Sequence, residues 1–139
     1  MKVSIVPATK LDIEDIIRRS PVQAHPNAKR DLKRFLVISI MSWTGLVENK
    51  VACVWGIISP TILSDSAYLW LLTTDLVDEH PFLFVRHSQM VVEKLLEDFP
   101  CIKGHVVAGE TRSIRWLKWL GFKLGHQEGG LIDFERRRA

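Results

Sequence analysis

Apolar residues recur along this chain with two different periods, and the switches between them mark out its elements. Val3 to Val6 is a short β-branched run ended by Pro7, which predicts a strand. Thr9 precedes Asp12 by three residues, an N-cap pattern with a carboxylate in the first turn. Leu11, Ile13, Ile16 and Ile17 continue at helical spacing until Pro21. Pro26-Asn27 reads as the start of a second helix, with Leu32, Phe35 and Leu36 as its buried stripe. From Val37 the pattern becomes that of strands. Val37 to Val47 and Val51 to Ile58 flank Glu48-Asn49-Lys50 as a hairpin, and Gly56 predicts a bulge or a close approach.

Ala67 to Thr74 contains Tyr-Leu-Trp-Leu-Leu, apolar on both faces as a central strand should be. Asp78 to Pro81 punctuates the chain. Phe82 to Phe99 then predicts a long helix with Val85, Gln89, Val92, Leu96 and Phe99 on one face, closed by Pro100. Ile102 to Ala108 reads as a strand and Thr111 to Leu120 as a helix. Phe122 to Gln127 and Leu131 to Arg136 form a last hairpin across Glu128-Gly129-Gly130. The order β-α-α-β-β-β-α-β-α-β-β predicts an α/β fold, one domain over residues 1–139, with about seven strands in a mixed central sheet. Trp70, Leu72, Val85, Val92, Val106, Ile114, Leu117 and Leu120 take the inward phases and are the expected core.

Composition changes this picture little. The chain is 47% hydrophobic and 25% charged, an ordinary globular balance. No apolar run approaches the ~18–20 residues that span a bilayer, and no signal-peptide core opens the sequence. Cys53 and Cys101 sit in apolar stretches without a Cys-x-x-Cys spacing, which suits reduced core thiols in the cytoplasm. His80 and His87 are seven apart with no carboxylate at ligand spacing, so no metal is expected. A net charge of +3 does not by itself imply a nucleic-acid partner.

Gly104 to Phe122 is the most informative stretch: a buried strand, a sharp turn, a short amphipathic helix and a Leu120-Gly121-Phe122 exit. With the opening Ile5-Val6-Pro7-Ala8-Thr9 and Asp12, that order resembles the GNAT N-acetyltransferase superfamily over nearly the whole chain. The resemblance implies that 67–74 and 102–108 are parallel neighbours that splay apart. Their open backbone groups would then pair with the pantetheine arm of acetyl-coenzyme A. His80-Pro81, Phe84-Val85-Arg86 and the Ser113 to Phe122 string more narrowly resemble small GNAT-like proteins of tailed phages. Some of those proteins are internal virion or virion-assembly proteins.

Two departures from the superfamily pattern are chemical. The turn Asp75 to Val85 has no glycine and carries Asp75, Asp78 and Glu79, where a glycine loop would bring backbone N–H groups to the pyrophosphate. Leu117 stands where many of these enzymes place a tyrosine acid, and Glu110 where they place an asparagine. Binding of acetyl-coenzyme A is therefore expected to be weak. By the resemblance, Leu72, Thr73, Thr74, Arg86, His87, Glu110 and Ser113 are the cofactor-binding candidates. Asp75, Glu79 and His80 are the candidates for taking a proton from the acceptor amine. His105 is a further candidate for that base, although its place in a mostly apolar strand favours a hydrogen-bonded core histidine, and Tyr68 reads as a core residue.

The resemblance implies direct transfer of an acyl group from coenzyme A to an amine on a small molecule or a protein. The alternative is a non-catalytic virion or assembly protein that keeps the fold and contacts other virion proteins or itself. A third reading starts from Arg112, Arg115 and Lys118 beside Trp116 and Trp119, a basic-aromatic helix of the kind that binds nucleic acid. Its competitor is a helix with one solvated basic face and one buried face, so a nucleic-acid partner is not expected.

Overall fold

In a computed structural model, which describes residues 3–19, 28–59 and 65–138, the elements start and stop at local features of the sequence. Strand β1 (Val3–Pro7) gives way to helix α1 (Lys10–Arg19) at Thr9. The Thr9 hydroxyl accepts from the Asp12 N–H (3.3 Å), and the Asp12 carboxylate accepts from the Thr9 N–H (2.9 Å). This reciprocal cap satisfies two donors that a helix start leaves open. The same carboxylate accepts the buried Thr44 hydroxyl at 2.7 Å, so the cap also ties α1 to the sheet. The expected stop at Pro21 and start at Pro26-Asn27 lie outside the described residues.

Helix α2 (Ala28–Ile38) runs directly into strand β2 (Ser39–Val47), so Val37 and Ile38 belong to the helix rather than to the strand. Ser39 marks the change: its hydroxyl donates to the Phe35 carbonyl at 2.6 Å and accepts the Trp70 indole N–H at 2.8 Å. Strand β3 (Lys50–Ile58) pairs Lys50 with Val47. The hairpin turn is therefore Glu48-Asn49 alone, with φ of 50° and 65°, the left-handed pair of a type I′ turn. Gly56 stays in regular register, and a Cβ there would lie 2.6 Å from the Trp70 ring. It marks a close approach, not a bulge.

Strand β4 (Ser66–Thr73) leads through a 3₁₀ turn (Asp75–Glu79) to helix α3 (Pro81–Asp98). Strand β5 (Cys101–Val107), helix α4 (Thr111–Trp119) and the hairpin β6 (Lys123–Glu128) and β7 (Leu131–Arg137) complete the fold. The seven strands form one mixed sheet in the order β1-β2-β3-β4-β5-β7-β6, with β4 and β5 parallel and the other neighbours antiparallel.

Each face of the sheet has its own core. Helices α1 and α2 cover Val51, Val54, Trp70 and Leu72 with Ile13 and Ile16. Helices α3 and α4 cover Cys53, Trp55, Leu69, Ile102 and Phe134 with Phe84, Val92, Trp116 and Leu117. Of the expected core, Val85 and Ile114 are only half-buried, and the other six are buried. The buried stripe of α3 is also turned by about one position: Phe84, Ser88, Val92, Leu95 and Leu96 face inward, and Gln89 is exposed. Ser88 can occupy that stripe because its hydroxyl donates to the Phe84 carbonyl at 2.8 Å, leaving no unpaired polar group.

The basic C-terminal run is not a free tail. Arg136 donates to the Leu120 carbonyl (2.8 Å) at the end of α4, and Arg138 to the Leu96 carbonyl (2.6 Å) near the end of α3. Both guanidinium groups satisfy carbonyls that helix ends leave open.

Candidate functional site

Strands β4 and β5 are well paired on their outer sides and barely paired to each other. Residues Tyr68 to Thr73 of β4 all have partners in β3, and Cys101 to Val107 of β5 all have partners in β7. Between β4 and β5 the register comprises only Ser66–Cys101, Ala67–Ile102 and Tyr68–Lys103. Beyond Lys103 the strands diverge. Gly104 sits at the point of divergence, where a Cβ would lie 2.3 Å from the Leu69 carbonyl oxygen and 2.2 Å from the Phe134 ring.

The divergence opens a groove of about 230 Å³, lined by Trp70–Leu72 on one side and His105–Val107 on the other. Glu110 and Ser113 at the start of α4 close one end, while Asp31 and Leu32 of α2 and Leu131 of β7 contribute from the flanks. A buried pair of hydroxyls, Thr73 and Ser113 at 2.9 Å, fastens α4 to the end of β4. Thr74 is buried too: its hydroxyl donates to the Ala52 carbonyl (2.8 Å) and accepts the Leu76 N–H (3.3 Å). Burial pushes the Glu110 carboxyl above the usual carboxylate range, opposed by the Arg112 guanidinium and a Thr73 hydrogen bond. Arg112 lies 3.6 Å from Glu110 and 3.0 Å from Asp78, linking α4 to the 3₁₀ turn.

The chemistry-bearing cluster lies on β5. Side chains alternate across a strand, so while Ile102, Gly104 and Val106 turn into the core, Lys103 and His105 take the opposite face and are exposed. His105 stands directly across from Asp133 in the β5–β7 ladder, and its Nε2 lies 3.0 Å from the Asp133 carboxylate. Its Nδ1 lies 3.2 Å from the Tyr68 hydroxyl. Burial pushes the Tyr68 phenol up, a hydrogen bond from the His105 backbone opposes this, and the Asp133 charge adds to it. The phenol is therefore a proton donor at neutral pH.

The structure divides the residues singled out from sequence. Leu72, Glu110 and Ser113 line the groove. Thr73 and Thr74 lie at its end with their hydroxyls turned to internal partners. Asp75 and Glu79 are exposed on the 3₁₀ turn and His80 follows it, and none of the three lines the groove. Arg86 is exposed on α3 away from the groove lining, and His87 packs edge-on to Trp43 and Trp55 at centroid distances of 6.4 and 5.9 Å. His105, weighed both as a base and as a core histidine, is exposed; Tyr68 packs against the α1–α2 core as expected with its hydroxyl near His105, and Asp133 was missed. Strict alternation against Ile102 and Val106 marks His105 as outward-facing, whereas the Asp133 partnership depends on a register that only folding sets.

Neither a family model nor a curated protein sequence matches the chain, but solved structures do. The chain is similar to the protein PH1933 from Pyrococcus horikoshii OT3, with a TM-score of 0.76, 10% identity and 99% of each chain covered. It is similar to a ribosomal-protein-alanine N-acetyltransferase from Brucella melitensis, with a TM-score of 0.64 and 14% identity over 97% of this chain and 99% of that one. It is also similar to the PaiA N-acetyltransferase from Thermoplasma acidophilum, solved in complex with coenzyme A, with a TM-score of 0.66 and 12% identity over 99% and 100%. The chain has the GNAT N-acetyltransferase fold. In the terms of that fold, the β4–β5 divergence is the expected splay, and it falls where the sequence placed it. Among the described residues no helix is long and apolar enough to cross a membrane.

Proposed function

We propose that this GNAT-fold protein is an acyl-coenzyme A-dependent N-acyltransferase of that superfamily. The observation that carries the reading is the open β4–β5 groove with His105, itself paired to Asp133, on its wall. The groove suits an extended, amide-bearing arm. Residues 69–72 and 106–107 have no register partner in each other, so strand edges are available to a ligand's amides. Acetyl-coenzyme A bound there would supply a thioester acyl group.

His105 would take the proton that the acceptor amine releases, the role histidine fills most often in acid–base catalysis. One tautomer satisfies both of its contacts: Nε2–H donates to Asp133, and Nδ1 accepts the Tyr68 hydroxyl. After protonation both ring nitrogens donate, Nε2 to Asp133 and Nδ1 to the Tyr68 oxygen. Only the hydroxyl has to rotate, so both ring nitrogens keep a partner in either state. Asp133 fixes the orientation and tautomer of the ring.

The acceptor is an amine on a small molecule or a protein. The second reading, a phage virion or assembly protein that keeps the fold without catalysis, is favoured by one specific feature. Leu117, at the position of the family's tyrosine acid, is fully buried in the core.

The test combines binding and turnover. Acetyl-coenzyme A at about a hundred times its dissociation constant should stabilise the protein by roughly 2.7 kcal/mol, a rise of several degrees in melting temperature. Thiol release should be measured against a panel of amines. His105→Ala should keep the thermal shift and lose about 10²–10⁴-fold in turnover, with Asp133→Asn intermediate. Full turnover in His105→Ala would remove that residue as the base. No shift at millimolar cofactor and no thiol release would overturn the enzyme reading and leave the virion protein.

A further inference from the structure

Helices α1 and α2 cover only part of their face of the sheet. Their buried cluster takes in Val51 and Val54 of β3 and Trp70 and Leu72 of β4, and no residue of β5, β6 or β7. On that side those three strands carry polar residues instead. A trough of about 420 Å³ runs over them, lined by Lys103 and His105 of β5, Asp133 and Glu135 of β7, and Lys123 and His126 of β6. His105 lines this trough and the β4–β5 groove alike, so the two open spaces share a wall. Residues directly opposite in a ladder share a face, and Glu135 stands between Lys103 on β5 and Lys123 on β6. Neither lysine pairs with it. Glu135 lies 3.5 Å from the Arg137 guanidinium and Asp133 lies 3.0 Å from His105, so both acids of the lining have partners. His126 in turn faces Glu128 at 3.5 Å. Lys103 and Lys123 are exposed and make no ion pair among the described residues, so they remain as the cations available to a ligand.

The two lysines also stand at a fixed remove from the histidine. Lys103 precedes His105 by two residues on the same face, about 7 Å along a strand, and Lys123 is level with Lys103 across β7. We propose that Lys103 and Lys123 make this protein selective for an acidic acceptor, an amine that carries a carboxylate about that far from its nitrogen. The nitrogen lies against His105 at the shared wall, and the carboxylate lies between the two ammonium groups. Flexible lysine stems let both ammonium groups close on one anion. An amine without an anionic group leaves both lysines unanswered, and a second ammonium in that place is repelled by them. The inference rests on the transferase reading, because it takes His105 as the base, but its test separates the two.

Three amines of one length test the selectivity: 5-aminopentanoate, its neutral amide 5-aminopentanamide, and 1,5-diaminopentane. With acetyl-coenzyme A as donor, KM should be lowest for the acid and highest for the diamine, and the spread should narrow as salt is raised. Lys103→Gln and Lys123→Gln should each raise KM for the acid about fivefold, the upper range for an ion pair open to solvent. Their effect on kcat and on the amide should be much smaller, and arginine at either position should restore most of the preference. Both lysines are exposed, so neither change threatens folding. Peptides opening Gly-Asp and Gly-Asn, compared in the same way, tell a protein acceptor from a small molecule, and a preference for the acid in either series supports the inference. Thiol release with no charge preference, or with the lysine variants matching the native protein, would overturn it and leave the transferase standing. A second readout needs no cofactor: 5-aminopentanoate is titrated into the whole protein while backbone amide signals are followed by nuclear magnetic resonance. Saturable binding that both variants weaken, without thiol release from any amine, would keep the site for an acidic amine and overturn the transferase. Neither binding nor thiol release would overturn both.

Discussion

His87 shows how one residue can be legible in sequence and still be misread. Its place on the helix after the acidic turn suggested a contact to cofactor. In the fold its ring instead meets the edges of Trp43 and Trp55, and its Nδ1 is buried without a partner among the described residues. Burial therefore pushes the His87 imidazole below its ordinary value, favouring the neutral ring. In the unfolded chain histidine titrates near about 6.5, so over the window below that value the unfolded state binds a proton that the folded state refuses. Stability from this site is fully present above the unfolded value and is lost as pH falls through it toward the lower folded one. Urea midpoints measured between pH 5 and pH 8 should fall on acidification in the native protein, and more gently in His87→Phe. Parallel profiles would show that His87 does not carry this dependence. Leu117 is the opposite case: its phase within the Trp-Leu-Lys-Trp-Leu string predicted burial, and it is fully buried.

Element identity was far more legible than element contact, because period and punctuation are local properties while register is not. Thr9 and Asp12 form the predicted cap, and Pro100 follows the C-cap Phe99, two residues past the end of α3. The boundaries that moved did so for tertiary reasons: Ser39 closes α2 by reaching both Phe35 and Trp70, a partner 31 residues away. Gly104 carries the most consequence of this kind. In sequence it is one small residue in an apolar strand; in the fold it lets β5 pass the Leu69 carbonyl just where the splay begins. Gly104→Ala would set a methyl group against the β4 backbone and the Phe134 ring. Overpacking of this kind costs about 1–3 kcal/mol, and a backbone oxygen has less freedom to yield than a side chain. The expected result is a lower denaturation midpoint together with weaker acetyl-coenzyme A binding, since the splay itself is displaced. A variant with native stability and native affinity would show that the apex tolerates a Cβ. The equivalent change at exposed Gly125, where a Cβ meets nothing closer than 3.8 Å, serves as the control.

At the scale of the molecule, the question is whether a sheet so nearly divided at β4–β5 behaves as one unit. Only three residue pairs register across that joint, yet the apolar layers on either side of the sheet do not respect it. Under α3 and α4, Leu69 of β4 belongs to the same buried cluster as Ile102 and Val106 of β5 and Phe134 of β7. Strands β3 and β4 in turn serve both faces, with Val54 and Trp70 toward α1 and α2 and Cys53 and Leu69 toward α3 and α4. Melting either half would expose apolar surface that the other half covers, at a cost near 25 cal/mol per Å². The burial thus outweighs the missing strand pairs, and the chain is expected to unfold as a single domain in one transition. Trp43, Trp55 and Trp70 lie on one side of the joint and Trp116 and Trp119 on α4, so tryptophan fluorescence can report on each half separately. In urea, fluorescence of a Trp116→Phe, Trp119→Phe double variant should share its midpoint with the far-ultraviolet circular dichroism of the same variant. The common slope should be about 1–3 kcal/mol per molar, the range for small cooperative domains. If the fluorescence of the β2–β4 half moves at a different urea concentration from the helical signal, the halves fold separately. The groove between them would then be a boundary between two units, not a cleft within one.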